Sequence, residues 1–403
     1  MYPRVPYGLS VHGSKEINAV IKVLNNSTQM GKNVLNFEKK ISKLFNKKYG
    51  LMVNSGSSAL MLGLEILDLP KGSEILTPAL TFSSTVSYIV KNELTPVFID
   101  IKKNTYCIDE DLLKKNISSK TKAILAPNLI GNVVNWRKVY NILKKNKILI
   151  IEDSADTLGA KLNNKSSGFY TDMSITSFYG SHIINCAGNG GMLCLNDRKL
   201  YEKAKLLRSW GRSSSLFDDK SENIENRFNI KIDNIDYDKK FVFEEIGHNL
   251  EPSEIGAAFG LVQLKSLRKN IQTRKKNFNI IYNFLKKYEN YFDLPSIQKN
   301  SSSGWLAFPI MIKSNAPFKR KDLQIFLEKR NIQTRVVFTG NILRQPGFKK
   351  IKAKKSKLGY PETDLVMKNG MLVGCHQGIS KKMMSHLLIS IKIFLNLNKN
   401  KPN

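Results

Sequence analysis

Lysine is absent from one stretch of a chain that is otherwise crowded with it. None occurs between Ser166 and Arg198, although the 403 residues carry 64 lysines and arginines against 33 acidic residues. Other absences narrow the reading. Cysteine is scarce: Cys107, Cys186, Cys194 and Cys375 are widely spread and form no C-x-x-C pair, so neither a disulfide framework nor a zinc site is expected. The thiols are read as reduced and buried. The histidines His12, His182, His248, His376 and His386 make no H-x-x-x-H pair of the kind that grips a metal. "GNGGM" does not fit the dinucleotide turn G-x-G-x-x-G, and no G-x-S-x-G nucleophile elbow exists. The most apolar runs, "KILIIED" and "LLISIKIFL", are far shorter than a bilayer span. The opening "MYPRVPYGLSVHG" is mixed and proline-bearing, unlike a signal peptide. The expectation is a soluble, cytoplasmic protein with no membrane partner.

What is present is a net charge of +31 on a chain with ordinary hydrophobic (41%) and charged (24%) content. The lysines are scattered through "KKNKILI", "TRKKNFN" and "KKIKAKKSK" and accompany no nucleic-acid-binding signature, so a nucleic-acid partner is not expected. A field of this sign still attracts anionic ligands such as nucleotide phosphates.

From about residue 15 to 200, helical and strand signals alternate. "GSKEINAVIKVLNN" and "NVLNFEKKISKLFNKK" show helical spacing. The short runs "YGLMVNS", "EILTPA", "TPVFIDI", "KAILAPN" and "KILIIEDS" read as parallel strands buried on both faces. Residues 212–248 are polar and irregular, too long for a simple connection. A long helical stretch follows from "EPSEIGAAFG" to "NFLKKY", and the chain beyond about 300 reads as a smaller α+β unit.

In parallel sheets ligands collect at the carboxyl ends of the strands. "NSGSSAL" puts Gly56 and Ser57 where free N–H groups open a helix, a phosphate cradle or simply a small-residue turn. "IIEDSAD" puts Glu152, Asp153 and Asp156 after the most apolar strand, as functional anions or as solvated turn residues. Phe82, in "TPALTFSST", is either core or a stacking platform. In "TSFYGSHIINCAGNGGM", Ser177 can donate to a phosphate, His182 sits at a bend, and the glycines permit close approach or positive φ. By itself a lone histidine is more often structural than catalytic.

Taken in order, "NSGSSAL", "TPALTF", "TPVFIDI", "KTKAI", "EDSADTLGA", "SFYGSHI…GNGGM", "GHNLEPSEIGAAFGLVQL" and "IQTRVVFTGNILRQP" resemble the DegT/DnrJ/EryC1/StrS sugar aminotransferases over nearly the whole chain. The resemblance implies an α/β fold of the fold type I pyridoxal-phosphate (PLP) class. It implies a large, mostly parallel cofactor-binding domain (residues 1–262) and a small α+β C-terminal domain (263–403). It also implies a homodimer with shared active sites. Asp153 takes the place of the aspartate that pairs with the cofactor's pyridine nitrogen, with Asp156 nearby. Phe82 takes that of the stacking aromatic, Gly56, Ser57 and Ser177 those of the phosphate-binding positions. Asn249 takes that of the asparagine that reaches the cofactor phosphate from the partner subunit, although "GHNLE" stands where "GYNYR" is usual.

Position 182 departs from the family's pattern. Its aminotransferases have the cofactor-binding lysine there, and this chain has His182. Imidazole cannot hold the cofactor covalently, so PLP or pyridoxamine phosphate (PMP) is expected to bind non-covalently. An imidazole can act as a base near its usual pKa of about 6.5. Histidine here resembles the nucleotide-sugar 3-dehydratases, which use PMP to remove the C3 hydroxyl of a 4-keto-6-deoxyhexose. In one branch of that group, cysteines hold an iron–sulfur cluster. Ser154, Ala155 and Arg212 to Ser215 stand at those places here, so no metal is expected. The expectation is a cluster-free 3-dehydratase of surface-polysaccharide sugar synthesis, with glutamate as amino donor. A nucleotide-sugar aminotransferase or other lysine-less PLP enzyme of the same family, such as an oxidative deaminase, and a non-catalytic binding or regulatory homologue are the alternatives.

Overall fold

The structure, a computed structural model, describes residues 2–217 and 224–399; part of the polar insertion, residues 218–223, lies outside the described residues. The five apolar runs form β1 (Tyr49–Val53), β2 (Glu74–Pro78), β3 (Thr95–Ile99), β4 (Thr121–Pro127) and β5 (Leu149–Asp153). A hairpin of β6 (Lys161–Leu162) and β7 (Lys165–Ser166) precedes β8 (Met173–Ser177) and β9 (Gly191–Leu195). Seven of these strands make one sheet in the order β1-β9-β8-β5-β4-β2-β3. The β2–β3, β2–β4, β4–β5 and β5–β8 pairs are parallel, while β9 runs antiparallel to both β8 and β1. Reversal at β9 was not expected from the sequence, and it brings the loop 178–190 to the carboxyl end of β8.

Successive residues of a strand point to opposite faces. Ala123 and Leu125 of β4 therefore join one hydrophobic cluster, and Ile124 and Ala126 the other. Helices supply the covering layers: α2 (Lys32–Leu44), α3 (Gly56–Glu65), α4 (Ser83–Lys91), α5 (Trp136–Leu143) and α6 (Arg198–Arg208), while α1 (Ser14–Leu24) lies against the later helix of residues 254–265. Within the insertion lie a short helix α7 (Ile224–Phe228) and the hairpin β10 (Lys231–Ile232)–β11 (Ile235–Asp236).

The expected single helical stretch is two helices. α8 (Glu254–Lys265) and α9 (Leu267–Leu285) meet at Ser266, whose φ of −93° and ψ of −3° bend the chain. Leu267 and Ile271 of α9 pack with Phe178, Ile183 and Ile184 beside the main sheet, while Phe278, Ile281 and Leu285 pack on the second sheet. That second sheet is antiparallel, β12-β14-β16-β15, from β12 (Phe292–Asp293), β14 (Ala307–Ile312), β15 (Thr334–Val336) and β16 (Gly370–Gly374); β13 (Ser301–Ser302) pairs with β6 instead. The chain start joins this smaller sheet, with Val5 bridged to Ile332. No helix among the described residues is long and apolar enough to cross a membrane.

Candidate functional site

A cavity of about 530 Å³ opens at the carboxyl ends of the main strands. Gly56, Ser57, Phe82, Asp153, Asp156, Ser177 and His182 all line it; Asn249 does not. Asn249 is exposed and bridges to Ser209, while its neighbour His248 pairs with Glu65 of α3 at 2.9 Å.

The first wall is the turn between β1 and α3. Ser55 caps the helix, its Oγ accepting from Ser58 N at 3.0 Å, so the N–H groups of Gly56 and Ser57 stand ahead of the helical ladder as free donors. Ser177 closes on this turn: a Cβ at position 56 would meet the Ser177 Cβ at 2.6 Å. Gly191 is pressed equally hard, since a Cβ there would lie 2.1 Å from Ser55 O. Both glycines serve close approach, as does no side chain.

The second wall is the end of β5. Strand alternation sends Glu152 and Asp153 to opposite sides. Glu152 is fully buried and takes bonds from Ser174 Oγ (2.6 Å), Ser154 Oγ (2.9 Å) and Asn128 Nδ2 (3.0 Å), away from the cavity. Asp153 faces the cavity and accepts from Ala155 N at 3.1 Å. Burial, with the Glu152 charge adding to it, raises its pKa to about 6. Asp156 is raised further, to about 7, by burial and by Asp153, against the opposing bond from Ile130 N at 2.8 Å. Phe82 is the N-cap of α4 and is 50% exposed, edge-on to Phe338 with centroids 6.3 Å apart, so it is an aromatic wall rather than core.

His182 sits on the loop between β8 and β9. Its Nδ1 lies 3.1 Å from Ser177 O. A carbonyl only accepts, so Nδ1 carries the proton and Nε2 keeps a free lone pair. Nε2 is 3.8 Å from Asp156 Oδ1. Burial, reinforced by the Arg274 charge and opposed by the Ser177 bond, drives the imidazole pKa down to about 4. The sequence reading assumed the ordinary value; the closed surroundings replace it, leaving the imidazole neutral across the physiological range.

Sequence reasoning passed over several lining residues. Ser55 was legible, because a serine three residues before Ser58 at a helix start is a capping pattern. Asn128 ends β4 under the same rule that singled out Asp153; its Oδ1 accepts from Trp136 Nε1 at 2.9 Å. Tyr7 and Leu306 come from distant segments and carry no local signal.

The model of the DegT/DnrJ/EryC1/StrS aminotransferase family matches residues 11–392. The chain belongs to this family. Among members, it is 30% identical over 406 residues to the lipopolysaccharide biosynthesis protein RfbH of Salmonella typhimurium, covering 98% of this chain and 92% of that one. To the GDP-4-keto-6-deoxy-D-mannose 3-dehydratase of Yersinia pseudotuberculosis it is 32% identical over 380 residues, 92% of this chain and 94% of the relative. The solved structure of the E. coli GDP-4-keto-6-deoxy-D-mannose-3-dehydratase with bound hydrated PLP superposes with a TM-score of 0.86 at 30% identity, over 97% of this chain and 99% of that one. The family's architecture, fold type I of the PLP-dependent enzymes, is the architecture of this chain.

Proposed function

We propose that the protein is a PMP-dependent 3-dehydratase that removes the C3 hydroxyl of a nucleotide-linked 4-keto-6-deoxyhexose in surface-polysaccharide sugar synthesis. The observation that carries the reading is the base of the cavity: His182 offers Nε2, and no lysine is among the lining residues. A transaminase of this family needs a lysine amine there, which a buried imidazole cannot replace.

The residues present fit the cofactor. Asp153 is a buried carboxylate whose pKa is raised by burial and by the Glu152 charge, and a protonated pyridine nitrogen would give it a positive partner. Gly56 and Ser57 offer N–H groups at a helix start, and Ser177 a hydroxyl, to a phosphate. Phe82 would lie against the ring. The bound cofactor would supply the amine and the electron sink that make loss of the C3 hydroxyl feasible. His182 Nε2 would take and return the proton, its ring held in one tautomer by Ser177 O. Asp156, near neutrality in its own titration, faces Nε2 and would stabilise the imidazolium that forms.

Further parts of the reading belong to the assembly and its surroundings: a cytoplasmic homodimer in which Asn249 reaches the partner's cofactor phosphate, and glutamate as the donor that restores PMP. We assign residues 1–262 to the cofactor-binding domain and 263–403 to the smaller one, except that the chain start around Val5 packs with the smaller one. The test is mass spectrometry of the product from GDP-, CDP- and dTDP-linked 4-keto-6-deoxy sugars supplied with PMP and glutamate. A 3-deoxy product is expected. An amino sugar means transamination, and absence of any PMP-dependent spectral change means a non-catalytic homologue; either overturns the reading. His182→Ala is expected to cut turnover by about 1,000-fold while PMP affinity stays within a few-fold.

A further inference from the structure

Arg274 is fully buried, with 0% of its surface exposed, and each of its described partners is a neutral oxygen. A buried guanidinium is costly, and an apolar side chain of similar size would fill the same space without that cost. What the fork grips therefore matters. Nη2 donates to Ser181 O (3.4 Å) and His182 O (3.2 Å). Nη1 donates to Trp305 O (3.1 Å) and Leu306 O (3.0 Å), and Nε to Gln377 Oε1 (2.6 Å). Asn270 lies one helical turn earlier on the same face of α9, and its Nδ2 donates to Ile183 O at 3.1 Å. Gln377 Nε2 reaches the same carbonyl at 3.3 Å. Three side chains thus take three successive carbonyls of the loop that carries the imidazole.

The other arm of the fork continues around the cavity. Leu306 N donates to Ile130 O (2.8 Å), and Ile130 N donates to Asp156 Oδ2 (2.8 Å). Asp156 Oδ1 faces His182 Nε2 at 3.8 Å. The circuit is closed: from the His182 main chain, through Arg274, Leu306 and Ile130, to the carboxylate opposite the His182 ring.

We propose that Arg274, flanked by Asn270 and Gln377, is a positioning residue that sets the placement of His182 against Asp156. The inference rests on the reading of His182 as the proton-transfer group. The loop's own bonds at this point are His182 N to Tyr179 O at 3.0 Å and the ring's Nδ1 to Ser177 O at 3.1 Å, which sets the tautomer; neither engages the carbonyls of residues 181–183, and a Cβ at Gly180 would meet nothing within 4 Å. Arginine suits the task because its planar fork serves two elements at once; an ammonium keeps the charge but cannot span both.

The test is Arg274→Lys in the full chain, with PMP and the accepted nucleotide sugar. A displacement of about 1 Å costs on the order of 100-fold, so kcat is expected to fall by about that factor. KM and the PMP Kd from absorbance titration should stay within about threefold, since the phosphate cradle is untouched. A second readout is independent of activity: nitrogen NMR of the His182 ring, assigned by its loss in His182→Ala. The wild type should show the Nδ1-protonated tautomer alone, and Arg274→Lys a mixture. If Arg274→Lys does not fold, Asn270→Ser probes the same face, with an expected kcat loss of roughly threefold to tenfold at unchanged KM. Wild-type kcat with a single tautomer in a folded variant overturns the proposal, as does a loss of kcat matched by an equal loss of PMP affinity. Should His182→Ala itself retain turnover, the functional reading fails instead, so the two failures are distinguishable.

Discussion

Two loops face each other across the cavity and are built in opposite ways. The turn at residues 54–60 holds itself: Ser55 Oγ caps Ser58 N, and Ser58 Oγ donates to Asn54 Oδ1 at 2.6 Å. The loop at 178–190 has main-chain bonds of its own, Phe178 N to Gly190 O at 2.8 Å and Cys186 N to Phe178 O at 3.1 Å, but its carbonyls at 181–183 are taken from outside, by Asn270 and Arg274 of α9 and by Gln377 beyond β16. The difference follows from the groups each loop presents. A helix start offers N–H donors to an anion and needs only a short capping side chain. The histidine loop presents carbonyls to the protein interior, and buried carbonyls must find donors wherever the tertiary structure brings them.

The strongest way to break this contrast is at the seam where the loops touch. Gly191→Ala places a Cβ 2.1 Å from Ser55 O and 2.6 Å from Gly56 N, both backbone atoms that cannot rotate away. We expect a loss of about 3 kcal/mol of unfolding free energy in denaturant titration, with PMP affinity weakened by at least about tenfold, because overpacking must shift β9 or the cradle.

The externally held loop should also be the more acid-sensitive of the two. His376, next to Gln377, is fully buried; its Nε2 faces Pro6 O at 3.0 Å and its Nδ1 accepts from Gly378 N at 3.2 Å. Burial and the Arg274 charge depress its pKa to about 4. The sign follows: the folded state binds fewer protons than the unfolded chain below about pH 6.5, so stability from this group falls as pH drops towards 4. His376→Gln keeps a donor for Pro6 O without a titrating ring. The stability of wild type relative to this variant should decline by up to about 1.4 kcal/mol per pH unit between about pH 6 and pH 4. A pH-independent difference between the two denaturation midpoints would refute that assignment. Asp153 and Asp156, raised to about 6 and about 7, act in the opposite sense and cancel from the comparison.

The smallest effect is expected from the self-held turn. Ser55→Ala removes one capping bond and should cost about 1 kcal/mol of stability, with a modest loss of PMP affinity and no change in the His182 tautomer. A tautomer change in Ser55→Ala would mean that the loops are not independently supported.

Most of the sheet was legible because its strands are short apolar runs ended by small residues, and all five runs became strands with the expected bounds to within a few residues. Seven of the nine residues singled out for the site line one cavity, since strand ends converge in a parallel sheet; Glu152 turns to the other side of β5. Asn249 lies apart from the cavity. Ser55 and Asn128 were within reach of the same rules. Arg274 was not: from the sequence it is one cation among "QTRKKN", and its partner His182 lies 92 positions away.

The sequence by itself therefore determined the chemistry on offer: a carboxylate, a helix start with N–H donors, an aromatic wall, and an imidazole where the family's aminotransferases keep an amine. These depend on residue type and on neighbours a few positions off. Only the tertiary structure decided how that imidazole behaves. Its tautomer, its pKa of about 4 and its 3.8 Å approach to Asp156 arise from burial and from donors carried by distant elements. Solvent exclusion and long-range hydrogen bonds are properties of the packed molecule, and no local stretch of sequence contains them.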